Sequence, residues 1–370
     1  MMDSYEERRV APRGRRNKKR GGPVYFDILV IIAVYLTVAG FAGLKDLYSI
    51  VEPGTVFYCV CLVTSIVTNA APFLFFMVAG AKILPKEETT RYNLKHRILP
   101  LLLLLLIFSF LYYQSDVRLG RDELNLGNFF LDLYARDRVI PFSYVYGFLG
   151  FLIVLPLLRP MAQNMRDRDF VYLFIMVFVL ESVLPFIDDL FFIHRYELNP
   201  NIKLSWLLNY TVIYPLAGYF VQQRADRKNC FKLLAWTWSF TVMWFILVIW
   251  RSYEYVMHTE YITTFMGYHS QLYFPMSLAF FTSVRLIFES KHRSRVLSQI
   301  AATGVGIYFA QDFFNNRGGV FAEWRFKILN VNLGMGMLFA FLLWALIICL
   351  IVGVVTWILQ RLYAAIMRKE

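Results

Sequence analysis

Long apolar runs alternate with short polar connections along almost the whole chain. The runs fall at 24–44, 55–81, 98–114, 141–158, 170–187, 205–221, 233–250, 271–288, 299–314 and 332–360. The hydrocarbon core of a bilayer is about 30 Å thick and takes roughly 20 apolar residues per helix. A backbone amide in lipid finds no outside partner, so each run is expected to close its hydrogen bonds internally as a helix. The fold class predicted is therefore an all-α membrane bundle of about ten transmembrane helices. Several runs carry proline (Pro72, Pro156, Pro185, Pro215 and Pro275), which membrane helices accept as kinks or ends.

The polar connections set the orientation. With the first residues inside, Lys and Arg on the inner side number eight in the tail, five in 82–97, three in 159–168, four each in 224–232 and 285–295, and three at the C-terminus, or 27 of the 38. That bias is the positive-inside pattern and places both ends in the cytoplasm. An odd number of spans would swap the later connections and erase it. The chain then divides into a basic cytoplasmic tail (1–23), a transmembrane domain (24–360) and a short cytoplasmic tail (361–370). The location expected is the plasma or inner membrane, crossed many times.

Composition agrees. Hydrophobic residues make up 58% and charged residues 17% of the 370 positions, against about 25% charged in soluble domains. The net charge of +12 sits in the tail and the short loops rather than on one face, which argues against a nucleic-acid partner. Cys59, Cys61, Cys230 and Cys349 lie in or beside apolar runs without metal-type spacing and read as packing residues. The first run is longer than the 7–15 residues or so of a cleavable signal core, so it is expected to remain as a helix. Between the third and fourth runs, Phe129, Phe130, Leu133 and Tyr134 predict a short amphipathic surface helix at 128–135.

Ionisable residues inside spans are costly and call for a reason. Glu181 lies deep in the fifth run and is a weak catalytic candidate. Arg285 and Glu289 are spaced for an intrahelical ion pair. Gln311 and Asp312 are polar neighbours late in the ninth run. The inner connection holds Lys82, Lys86, Arg91, Lys95, His96 and Arg97, immediately before a leucine run. It reads either as a topology determinant or as a basic mouth for an anionic cytosolic ligand. In the second case Lys82, Arg91, His96 and Arg97 bind the donor, with Arg97 at a helix start. The five histidines have no i, i+4 spacing, so no metal site is expected; His269, entering the eighth run, is a weak candidate base.

Several segments resemble the acyltransferase-3 family of polytopic membrane acyltransferases. They are Ala71–Gly80, with its run of aromatics; Lys95-His96-Arg97-Ile98-Leu99-Pro100; Tyr146–Gly150 through Leu155–Pro160; Tyr214–Phe220; and Ile307-Tyr308-Phe309-Ala310-Gln311. With Tyr25-Phe26-Asp27 as the anchor, the family's first-span Arg and His positions fall on Val30 and Gly40, and its late His position on Gln311. The resemblance implies transfer of an acyl group, acetyl for instance, from a cytosolic thioester such as acetyl-CoA. The acceptor would be a hydroxyl of a cell-surface glycan or lipid-linked sugar. The other reading is a non-catalytic component of polysaccharide synthesis or export, or a transporter; the absent first-span His favours it.

Overall fold

A computed structural model describes residues 23–52, 55–135, 137, 139, 141–184, 210–257, 270–291, 294–317 and 334–366. Among these the chain is all-helical, without strands, and has eleven helices. They are α1 (Val24–Ala39), α2 (Val56–Ile83), α3 (Thr90–Arg118), α4 (Leu126–Ala135), α5 (Phe142–Asn164), α6 (Asp167–Phe178), α7 (Tyr210–Gln223), α8 (Arg227–Met257), α9 (Ser270–Phe288), α10 (Arg295–Asp312) and α11 (Met335–Ile366). Five stretches among the described residues are long and apolar enough to cross a bilayer: Val24–Ile50, Val56–Ile83, Thr90–Arg118, Phe142–Asn164 and Met335–Leu362. The protein is thus a multi-pass α-helical membrane protein.

α2 lies at the centre, packed by α1, α7 and α9. Its sequence explains the position. Ser65, Thr68, Ala70, Ala71, Ala79, Gly80 and Ala81 are all buried, and small side chains let neighbouring backbones approach closely. The α2–α7 contact is the tightest. A Cβ on Gly80 would collide with the backbone of Pro215, and one on Gly218 with the backbone of Met77. On α9, the Ser277 hydroxyl donates to Ala70 O at 3.1 Å. Pro72 and Pro215 sit inside their helices.

Among the described residues four apolar clusters form, of which two are the largest. One joins Tyr25, Phe26 and Leu29 of α1 with Phe76 and Met77 of α2, Phe151 and Leu155 of α5, Phe170 of α6, Leu216 of α7 and Phe281 of α9. The other joins Val34 and Val38 of α1 with Ile307 of α10 and Phe341, Trp344 and Ile348 of α11. α1 ends in a π turn (Gly40–Leu44) in which Gly43 takes φ 141°, a region that favours glycine.

The amphipathic helix expected at 128–135 is present as α4. The Asn125 side chain starts it, with Oδ1 accepting from Gly127 N at 2.9 Å. The Tyr113 hydroxyl donates to Glu123 O at 2.7 Å and accepts from Asn125 N, so the surface helix is tied to α3. Two boundaries differ from the sequence reading. α3 starts at Thr90, inside the expected basic loop, because Thr89 caps it: Oγ1 accepts from Tyr92 N at 3.2 Å. At the other end of the chain α11 continues to Ile366, beyond the expected start of the tail at 361.

Candidate functional site

The α2–α3 connection carries a compact charge cluster centred on one acid, Glu88. Arg97 of α3 reaches its carboxylate twice, at 2.5 and 2.8 Å. Arg159 of α5 donates to the Glu88 carbonyl and lies 3.4 Å from the carboxylate. Lys86 stands 3.8 Å away. Burial alone would push the Glu88 carboxyl up, but the hydrogen bond and charge of Arg97, with Lys86 and Arg159, hold it below the ordinary carboxylate value. The side chains of Arg159, Glu88 and Arg97 are only 12%, 16% and 17% exposed, so water screens the cluster weakly.

Neighbouring bonds brace it. Asn93 Nδ2 donates to Leu152 O at 2.7 Å, and Gln163 Nε2 donates to Leu84 O at 3.0 Å. Arg224, just past α7, donates to Gln163 O at 2.8 Å. α2, α3, α5 and α7 are thereby fastened together at one end of the bundle.

This geometry sorts the residues singled out in the sequence. Arg97 lies within a π turn of α3 (Leu94–Ile98) rather than at a helix start, and its guanidinium is committed to Glu88. Lys82 places its Nζ 5.0 Å from the Phe26 ring centroid, a cation–π contact. Arg91 and Lys95 are exposed. His96 is also exposed; it stacks on Tyr92 at 4.3 Å and sets Nδ1 3.2 Å from Tyr92 O. Lys86, Arg91, Lys95 and His96 are therefore the members of the basic set that face water. Glu88 and its partners Arg159, Gln163 and Arg224 come from separate connections, so no local pattern joins them; the acids at 87 and 88 within a basic loop are the one local signal of the cluster.

Arg285 and Glu289 form the expected i, i+4 pair at 3.3 Å. Arg285 does more: its guanidinium donates to Val221 O, to Ala225 O at 3.2 Å and to Cys230 Sγ, also at 3.2 Å. It closes the turn between α7 and α8. Glu181 falls in a π turn after α6 (Val179–Val183), and its side chain lies outside the described residues, as does His269.

Above the charge cluster lies a cavity of about 300 Å³. It is lined by Val30 of α1, Pro72, Phe75 and Phe76 of α2, Leu101 of α3, Tyr144 and Phe148 of α5, and Gly304, Tyr308 and Phe309 of α10. No acid, base or thiol is among the lining residues. The Tyr308 hydroxyl is held by Pro141 O at 2.7 Å. One turn onward Gln311 is fully buried, and neither its amide oxygen nor its nitrogen has a hydrogen-bond partner among the described residues. Asp312 beside it is buried too. Gly40 packs on α2, where a Cβ would stand 3.0 Å from Thr68 Cβ. Among the described residues no three His, Cys, Asp or Glu side chains converge as a metal site would need.

No family model, no curated protein and no solved structure matches this chain.

Proposed function

We propose that this protein handles acyl groups within the membrane. In this reading it has ten spans, with both ends in the cytoplasm of a cell whose plasma or inner membrane it occupies. It takes an acyl group, acetyl for instance, from a cytosolic thioester such as acetyl-CoA and delivers it to a hydroxyl of a cell-surface glycan. One observation carries the proposal. Segments similar to the acyltransferase-3 family, distant in sequence, converge on one cavity: Phe75 and Phe76, Phe148, and Tyr308 and Phe309 all line it. An apolar cleft lined by several helices is the usual form of a small-molecule site. Exposed Arg91, Lys95 and His96 supply positive charge for a phosphate-bearing donor at the nearby end of α3.

The test is acetyl transfer from labelled acetyl-CoA to a deacetylated surface polysaccharide in proteoliposomes. Transfer should be abolished by Leu101→Trp, which enlarges a side chain of the cavity lining. Arg91→Ala with Lys95→Ala should raise KM for the donor several-fold and leave kcat close to wild type.

A second reading is favoured by the absence of any base in the cavity lining. A positioned general base is worth about 10²–10⁴ in rate, and Val30, Gly40 and Gln311 occupy the three positions where the family resemblance implies Arg, His and His. In this reading the protein binds an acylated or lipid-linked sugar without chemistry, as part of polysaccharide synthesis or export. Ligand binding that needs the open cavity, with no transfer by pure protein, would establish it over the first.

A further inference from the structure

A second set of cavities lies against α10 and adjoins the candidate site, with which it shares Ala301 and Gly304. An apolar groove of about 530 Å³ runs between α1, α10 and α11. Ile31, Val34, Ile300, Leu346, Leu350 and Gly353 are among the residues lining it. It adjoins an open polar cavity of about 570 Å³ that includes Ser294, Arg295, Gln360 and Arg361. Gln299 and Trp357 line both. The two spaces are therefore continuous in lining: an apolar slot with a polar, basic mouth.

The mouth lies at the end of the bundle where Lys82 meets Phe26. α1 and α10 run parallel, since the Cα of Gly304 faces Val30 and Val34 while Ile307 packs with Val34 and Val38. α11 returns antiparallel, fixed by Gln360 Nε2 donating to Ala302 O at 3.0 Å and by Thr356 lying against Gly306. Neither lining contains Asp or Glu. Arg295 and Arg361 are exposed and in no ion pair among the described residues; Arg361 lies over the Trp357 ring at 5.1 Å. A half-exposed Trp at this depth fits the membrane–water interface.

We infer that this paired cavity binds one anionic phospholipid, its phosphate at Arg295 and Arg361 and one acyl chain in the groove between α1, α10 and α11. Three features set this occupant apart from others. The two guanidiniums, with no acid in either lining and no ion pair among the described residues, match a phosphate. The attached slot is lined mostly by apolar side chains, with Tyr35, Thr303 and Gln299 the polar members, and suits a hydrocarbon chain. The helices that form it belong to a membrane bundle, so the groove meets lipid before it meets any soluble ligand.

The experiment uses the full chain, purified in detergent with an equimolar mixture of phosphatidylglycerol and phosphatidylcholine, and counts retained lipid by native mass spectrometry. Wild type should keep one phosphatidylglycerol in preference to phosphatidylcholine by about tenfold, given the attraction of each Arg near an anionic headgroup. The double variant R295Q/R361Q should bring the two lipids to near parity. Gly353→Phe should lower retention of both, because it fills the slot; a Cβ at Gly353 meets nothing nearer than Ile307 Cδ1 at 3.6 Å, so the backbone tolerates it. Gly353→Ala should behave as wild type in retention and melting, which separates blockage from misfolding. Millimolar glycerol phosphate or inorganic phosphate should not displace the lipid. Parity of the two lipids on wild type, unchanged retention in R295Q/R361Q and Gly353→Phe, or displacement by inorganic phosphate alone would each overturn the assignment.

Discussion

α2 and α3 have nearly the same mean hydropathy and nearly the same length, yet 61% of the apolar stretch of α2 is buried inside the protein against 28% for α3. On α3 the leucine row Leu99, Leu103, Ile107 and Leu111 points outward, each about half exposed. On α2 the residues between Ser65 and Ala81 are mostly buried, with glycine, alanine, serine and threonine at the contacts. Apolarity therefore says that a segment prefers lipid to water, and says nothing about whether it touches lipid or protein. Inside a bilayer, burying another leucine brings no hydrophobic gain, so close approach of backbones and hydrogen bonds decide who packs against whom. Small residues mark the central helix; large aliphatic ones mark the lipid-facing helix.

Substitutions break or sharpen this contrast in a definite order. The largest effect should come from Gly80→Leu or Gly218→Leu, because the new side chain would occupy backbone of the facing helix. Loss of the monodisperse peak in detergent gel filtration is the expected outcome; a normal peak and melting curve would refute the tight α2–α7 contact. Next comes Glu88→Gln, which leaves Arg97 and Arg159 together in a poorly hydrated place and should cost about 2–3 kcal/mol, read as a lowered Tm. The sign of the pH dependence follows from the lowered Glu88 carboxyl. Its stabilisation is fully present above the ordinary glutamate pKa of about 4.3 and is lost as pH falls through the lower folded value. Tm should therefore drop on the acid side in wild type and drop less in Glu88→Gln. Smaller again is Asn125→Ala, which removes the start of α4 and should cost about 1 kcal/mol, seen as faster hydrogen exchange confined to that helix. Leu103→Ala on the outer face of α3 should change Tm least, within about 0.5 kcal/mol; a large drop would mean that this face is covered in the native assembly.

The legible part of the fold was what hydropathy and period can encode. The expected runs at 55–81, 141–158 and 271–288 coincide closely with α2, α5 and α9, and the amphipathic segment at 128–135 is α4. The start of α3 at Thr90 was not anticipated, because the basic residues there mask a Thr cap that acts through one local hydrogen bond. The pairing of α2 with α7 is a long-range choice between surfaces of equal greasiness; Gly80 and Gly218 were the visible clue, each within a segment noted for another reason. The charge cluster was half legible. Arg97 stood out as a cation, but its engagement depends on an acid nine residues earlier in sequence and an arginine from α5. The cavity lining was legible only in pieces: Phe75, Phe76, Phe148, Tyr308 and Phe309 lie in segments that stand out in the sequence, but their convergence from separate helices does not.

The glycine seam between α2 and α7 also fixes an order of events during synthesis. α2 leaves the ribosome more than a hundred residues ahead of α7, a delay of roughly ten seconds at 5–20 residues per second. For that interval its narrow glycine–alanine flank has no mate and is open to any other helix in the membrane. Nascent-chain crosslinks from positions 77–81 to an insertase are therefore expected to persist until α7 emerges and then to vanish.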